Sequence, residues 1–173
     1  SVASVCYIIV FLLITNKYHN DSQMVAISSG YYYFGGYDMN TKEITVLMVE
    51  PGKHPKVTTL KDDLDSLQKA VSIGCDYQGL IEVVGLENGV CIICNEEGKL
   101  LGLPLNRALR DEDHHVYDIV AGTFLVSGLG AEDFCSLNEK QIEKYSEHFK
   151  TPELFLRLNG RMLVIPVEEK FSR

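Results

Sequence analysis

The sequence predicts an α+β fold: a single compact domain in which an antiparallel sheet has two helices packed against it. Three observations point there. Short apolar, β-rich runs alternate with tight Gly, Asn and Pro turns from Ile44 to Val167. Two stretches, ending near Val71 and Phe149, instead repeat apolar residues at helical spacing. Asn88-Gly89 sits between two of the β-rich runs, the strongest short hairpin signal, because both turn positions favour positive φ.

Each element follows in order. Ile44–Glu50 is a near-continuous apolar run, read as a strand buried on both faces and ended by Pro51-Gly52. Lys56–Thr59 pairs back onto it as a short strand, and the two prolines of the connection place it at an edge. Thr59 is expected to cap a helix, with Asp62 near its positive end and Leu60, Leu64, Leu67 and Val71 as its core stripe; Gly74 closes it. Leu80–Leu86 and Val90–Cys94 form the hairpin around Asn88-Gly89, and Asn95-Glu-Glu-Gly98 is a second tight turn. After Gly102 and Pro104, Leu105–Arg110 reads as a short helical turn, followed by a charged loop to His115. Tyr117–Ser127 has strong β character, and Gly122 inside it signals a bulge or a close backbone approach. Ser136-Leu-Asn-Glu139 is a capping box opening a helix to Phe149, with Ile142, Tyr145 and Phe149 on one face and Pro152 beyond it. Leu154–Leu158 and Met162–Val167 are a last strand pair around Asn159-Gly160.

A chain of 173 residues is one-domain length and long enough to bury a core. Its 46% apolar and 23% charged residues are ordinary globular usage. The net charge of −8 repels phosphate backbones, and the basic residues are scattered, so nucleic acid is not an expected partner. Five cysteines, mostly in apolar runs, point to reduced core thiols and a cytoplasmic location. Cys91-Ile-Ile-Cys94 has the spacing of a redox or zinc motif. It lies in a strand, however, where positions three apart point to opposite faces, so the pair is not expected to share a metal or close a disulfide.

Residues 1–38 read differently. Val2–Thr15 is uncharged and apolar, too short for an ordinary membrane span and lacking the positive lead-in of an export signal. Lys17–Asp38 shows no clear helical or strand period. The expectation is a leader, an upstream reading-frame extension of a gene starting at Met39; a truncated membrane anchor and an export signal are the rival readings. Residues 39–173 form the domain, with no membrane segment from Met39 onward.

Val46–Gly52, the phrases Asn-Glu-Glu-Gly-Lys and Gly-Leu-Pro-Leu-Asn-Arg within Asn95–Leu109, and Ile-Val-Ala-Gly-Thr-Phe within Ile119–Gly128 occur in that order. Together they resemble the domain of unknown function 3846 family, over about Ile44 to Phe149. The resemblance implies an accessory protein of a bacterial mobile element, such as a phage, plasmid or conjugative element. It implies no activity.

No catalytic constellation, cofactor motif or metal motif is readable. Asp111, Asp113, His114 and His115 are metal-binding types, but a solvated loop explains them better. The first residues to test as ligand-binding are Asn106 and Arg107, in a Gly/Pro-shaped loop where an Arg fork suits a carboxylate or phosphate; Asn95, Gly102 and Gly122 join them. The plainer expectation is that Arg107 pairs with an acid, Asn106 caps a helical turn, and Asn95 serves its own turn. The leading functional expectation is a non-catalytic binding protein acting on a host protein or small ligand. One alternative is a small enzyme or binder for a nucleotide-like ligand; another is an acidic antagonist of a DNA-binding host defence.

Overall fold

A computed structural model describes residues 42–131 and 133–167, together with the backbone of 24–27 and 30–33. Within residues 1–38, β1 (Met24–Ile27) and β2 (Gly30–Tyr33) pair antiparallel, in a stretch whose sequence shows no strand period. The other residues of 1–38 lie outside those described.

The domain is built on one antiparallel sheet. β3 (Glu43–Val49), β4 (Lys56–Lys61), β5 (Ile81–Gly85), β6 (Val90–Asn95) and β9 (Phe124–Leu129) lie in the order β4-β3-β9-β6-β5, and the two-residue β10 (Phe134–Cys135) pairs with the end of β9. β4 is an edge strand, as its proline-bounded connection predicts. α1 (Leu64–Val71) covers one face. α2 (Glu139–His148) and a separate hairpin of β7 (Leu105–Arg110) and β8 (Val116–Ala121) cover the other. A second hairpin, β11 (Glu153–Leu158) with β12 (Arg161–Pro166), follows α2.

Both sheet faces are therefore buried, which explains the near-continuous apolar runs. On β3, Ile44 and Val46 enter the core under α1, while Leu47 and Val49 enter the core under α2. On β6, Cys91 and Ile93 face α1, and Val90, Ile92 and Cys94 face the opposite way. Cys91 and Cys94 thus sit on opposite faces as free thiols. Burial pushes each up to about 12. The Asn88-Gly89 and Asn159-Gly160 turns both take positive φ at each residue, as two-residue hairpin turns require.

Four local expectations need correction. β4 runs on through Leu60, so Thr59 caps nothing; Asp63 is the cap of α1 and accepts the Ser66 N–H. Pairing of Ile44 with Leu60 and Glu43 with Lys61 outweighs helix propensity there. The capping box of α2 is Asn138 with Gln141, two residues later than the Ser136–Glu139 box. Ser136 instead uses its hydroxyl to accept the Thr45 N–H at 3.0 Å, tying the helix entry to β3. Leu105–Arg110 is a strand, not a helical turn, because β8 supplies a pairing partner. The Tyr117–Ser127 run is two strands in two sheets, divided at Gly122, whose φ of +77° turns the chain between them.

Candidate functional site

β7 brings two polar residues into the interior, Asn106 at 0% and Arg107 at 2% exposure. The Asn106 amide donates to the Val49 carbonyl at 2.8 Å and the Gly122 carbonyl at 2.7 Å, tying β7 to β3 and to the β8–β9 turn. Arg107 donates through Nε to Phe149 O at 3.0 Å and through Nη2 to Lys53 O at 2.7 Å. Its Nη1 donates to the Asn106 backbone and side-chain oxygens at 3.1 and 2.9 Å. All four bonds go to carbonyl-type oxygens; the expected acid partner of Arg107 is replaced by three backbone carbonyls and the Asn106 amide oxygen. Burial pulls the guanidinium below its ordinary value, against the pull of the Glu153 carboxylate, and it stays charged because it starts so high. Three chain segments thus converge on one cation: the turn after β3, the C-terminus of α2, and β7.

The acid near this cluster serves a different partner. Glu153 accepts the Ala108 N–H and an Arg110 Nη2 hydrogen, both at 2.6 Å, fastening β11 onto β7. Nothing local in the sequence after Pro152 marks Glu153 for this role.

The remaining expected ligand residues scatter. Gly102 lies in a turn with φ of +67° and no heavy atom within 4 Å of a would-be Cβ. Gly122 presents its carbonyl to Asn106 and lies close under Leu103. Asn95 is buried; its side-chain oxygen accepts the Glu97 N–H at 2.9 Å and its backbone carbonyl accepts the Gly98 N–H at 3.2 Å. Gly98 is required because a Cβ there would stand 2.9 Å from the Ala121 carbonyl oxygen. The Asn95–Gly98 turn is thereby pressed onto the end of β8. Asn106, Arg107 and Gly122 come together; Asn95 lies apart from them, and Gly102 joins neither.

A small cleft opens where β5 and β6 face β8, with a volume of about 60 Å³. Val84, Leu109 and Ile119–Ala121 give it an apolar floor. Glu82, Cys94, Glu96, Lys99 and Asp118 supply its polar atoms, and Asn95 lies along its wall. Lys99 Nζ is paired with the Asp118 carboxylate across the mouth. The Cys94 thiol lies 4.0 Å from Glu82 Oε2, and burial followed by that carboxylate holds its proton on. With three carboxylates and one ammonium, the cleft favours a group that donates hydrogen bonds. Of these residues the sequence reading placed only Asn95 among the candidates. Lys99 stands in the Asn-Glu-Glu-Gly-Lys phrase and was within reach of sequence reasoning; the meeting of Glu82 with Asp118 depends on tertiary packing.

Among the described residues, no group of three or more His, Cys, Asp and Glu side chains is arranged to hold a metal ion, and no helix is long and apolar enough to cross a membrane. No curated protein and no solved structure matches the chain. The model of the domain of unknown function DUF3846 matches residues 44–150, which spans both sheet cores, the buried Arg107 and the cleft, and the chain belongs to that family.

Proposed function

We propose that this protein is a non-catalytic binding protein of a bacterial mobile genetic element, such as a phage or plasmid, working in the host cytoplasm on a host protein or a small ligand. The observation that carries this reading is the cleft between β5–β6 and β8. Its volume of about 60 Å³ is well short of the several hundred Å³ of a nucleotide-sized pocket. It suits one side chain or a comparably small group. The carboxylates of Glu82, Glu96 and Asp118 select a hydrogen-bond donor or cation, and Lys99 sets the rim. Asn106, Arg107 and Gly122 hold β7 and β8 in place around it. The free thiols Cys75, Cys91, Cys94 and Cys135 support a reducing compartment.

Affinity capture from a native host, read by mass spectrometry for proteins and metabolites, tests the reading. The chain is expected to retain a partner that the Glu82→Lys, Asp118→Lys variant loses while keeping its unfolding transition. Equal capture by both would place binding elsewhere, and turnover of nucleotides or esters by the unmodified chain would contradict the non-catalytic reading.

A further inference from the structure

The β11–β12 hairpin presents an apolar face to solvent. In its register Leu154 opposes Ile165 and Leu156 opposes Leu163, and directly opposed residues share a face. Leu158 continues that face on one strand and Val167 on the other; Val167 still pairs through its N–H to Pro152 O at 2.8 Å. These six side chains are 40–56% exposed. On the other face Phe155 and Val164 are half-buried and Glu153 is fastened to β7, while Arg157, Met162 and Pro166 stay exposed toward its turn and its end. A two-stranded ribbon is marginal in water by itself, so an uncovered apolar face is a liability unless something covers it.

We propose that a second copy of this chain covers it, the two ribbons packing face to face across a two-fold axis. Area is the first argument. Six half-exposed aliphatic side chains offer on the order of 400–500 Å² of apolar surface, the size at which a patch on a monomer is commonly functional. Two such faces fully covered bury about 800–1,000 Å², close to the threshold for a specific interface, whereas one face against a small ligand would leave most of it wet. Charge is the second. The molecule carries −8, so two copies repel over most orientations. Along the ribbon the ionisable residues are Glu153, already bonded to Arg110, and the cations Arg157 and Arg161. Two arginines against one glutamate leave the ribbon itself at +1, which lowers the repulsion between two acidic copies that approach through it. The face carries no acid and a single cation, Arg161 opposite Leu158 at its turn end, so its aliphatic body is self-complementary, as a two-fold interface demands. The ribbon begins three residues after the family match ends.

Sedimentation of the full chain over a range of concentrations tests this. The expected result is a reversible monomer–dimer equilibrium, the dimer at twice 19.4 kDa. Leu156→Glu and Leu156→Lys, each alone, are expected to weaken self-association about a hundredfold by setting like charges against each other. Mixing the two variants is expected to restore a dimer, since the opposed charges then attract. Hydrogen exchange of the unmodified chain supplies a readout that does not depend on the variants folding: β11 and β12 amides should slow as concentration rises. A chain monomeric at every concentration overturns the proposal. So does a dimer that both Leu156 variants leave intact, or ribbon exchange that ignores concentration; a different protein captured on the ribbon of a monomeric chain would replace the second copy as its occupant.

Discussion

Arg107 brings five N–H donors into the interior, and four of them end on carbonyl oxygens of Lys53, Asn106 and Phe149. The Phe149 and Asn106 bonds are buried, so those oxygens lose their donors if the side chain is shortened, while the Lys53 carbonyl is only partly buried. Arg107→Met is therefore expected to lower unfolding stability by roughly 3–5 kcal/mol, since several buried acceptors lose charge-assisted bonds at once. Arg107→Lys is expected to recover little, because a point ammonium cannot reproduce a planar fork that spans three segments. Urea unfolding checks both; a shift of the Met variant under about 1 kcal/mol would show the clamp to be unimportant. Sequence reasoning singled out Asn106 and Arg107 but anticipated an acid or a ligand. Nothing in the sequence shows that Lys53 and Phe149, 54 and 42 positions away, aim their carbonyls at this side chain. The buried thiols give a second residue-scale expectation. Cys91 and Cys94 hold their protons up to about 12 in the folded chain, while an exposed thiol ionises near 9.0. Below pH 9 both states keep the proton and stability is unaffected. Between pH 9 and about 12 the unfolded chain binds fewer protons, so stability falls as pH rises, by up to about 1.4 kcal/mol per pH unit per thiol. Cys91→Ala, Cys94→Ala should flatten that alkaline slope in urea titrations at successive pH values; an unchanged slope would assign it to other groups.

At the scale of elements, what was legible depended on how local the cause is. The Asn88-Gly89 and Asn159-Gly160 hairpins and the β3 edge pairing with β4 were readable, because turn geometry and apolar runs act within a few residues. The helix starts were misplaced by a few residues, since several acceptors crowd each entry and tertiary contacts choose among them. Ser136 is drawn to the Thr45 N–H, which leaves Asn138 to cap α2. Asn138→Ala is accordingly expected to cost about 1 kcal/mol, and Glu139→Gln well under half of that. Thermal unfolding separates them; a larger loss from Glu139→Gln would return the cap to the Ser136 box. The division of Tyr117–Ser127 escaped sequence reasoning for a related reason. A continuous β-rich run says nothing about which sheet each half joins, and only the positive φ of Gly122 marks the change. The cleft was less legible still, because Glu82 and Asp118 meet only once β8 is laid across β5 and β6.

For the whole molecule, the organising fact is a sheet with apolar residues on both faces and a cover for each. α1 closes one core; α2 and the β7–β8 hairpin close the other, with Phe124, Tyr145 and Phe149 packed ring to ring beneath them. Ile44, Val46, Leu47, Val49, Ile92, Ile93, Leu125 and Val126 are 0% exposed, so the central strands contribute to both interiors at once. Neither cover can leave without exposing side chains worth about 1.5–3 kcal/mol each, which couples the two cores into one cooperative unit. The cleft and the ribbon are both mounted on that unit, one against the sheet and the other on β7. Native-state hydrogen exchange of the full chain is the most direct test. Amides of β3, β6 and β9 should be the slowest in the molecule and should share one opening free energy, equal to that of global unfolding. Exchange of these strands at loop-like rates, or a separate and lower opening energy for the α2-side core than for the α1-side core, would contradict the doubly covered sheet.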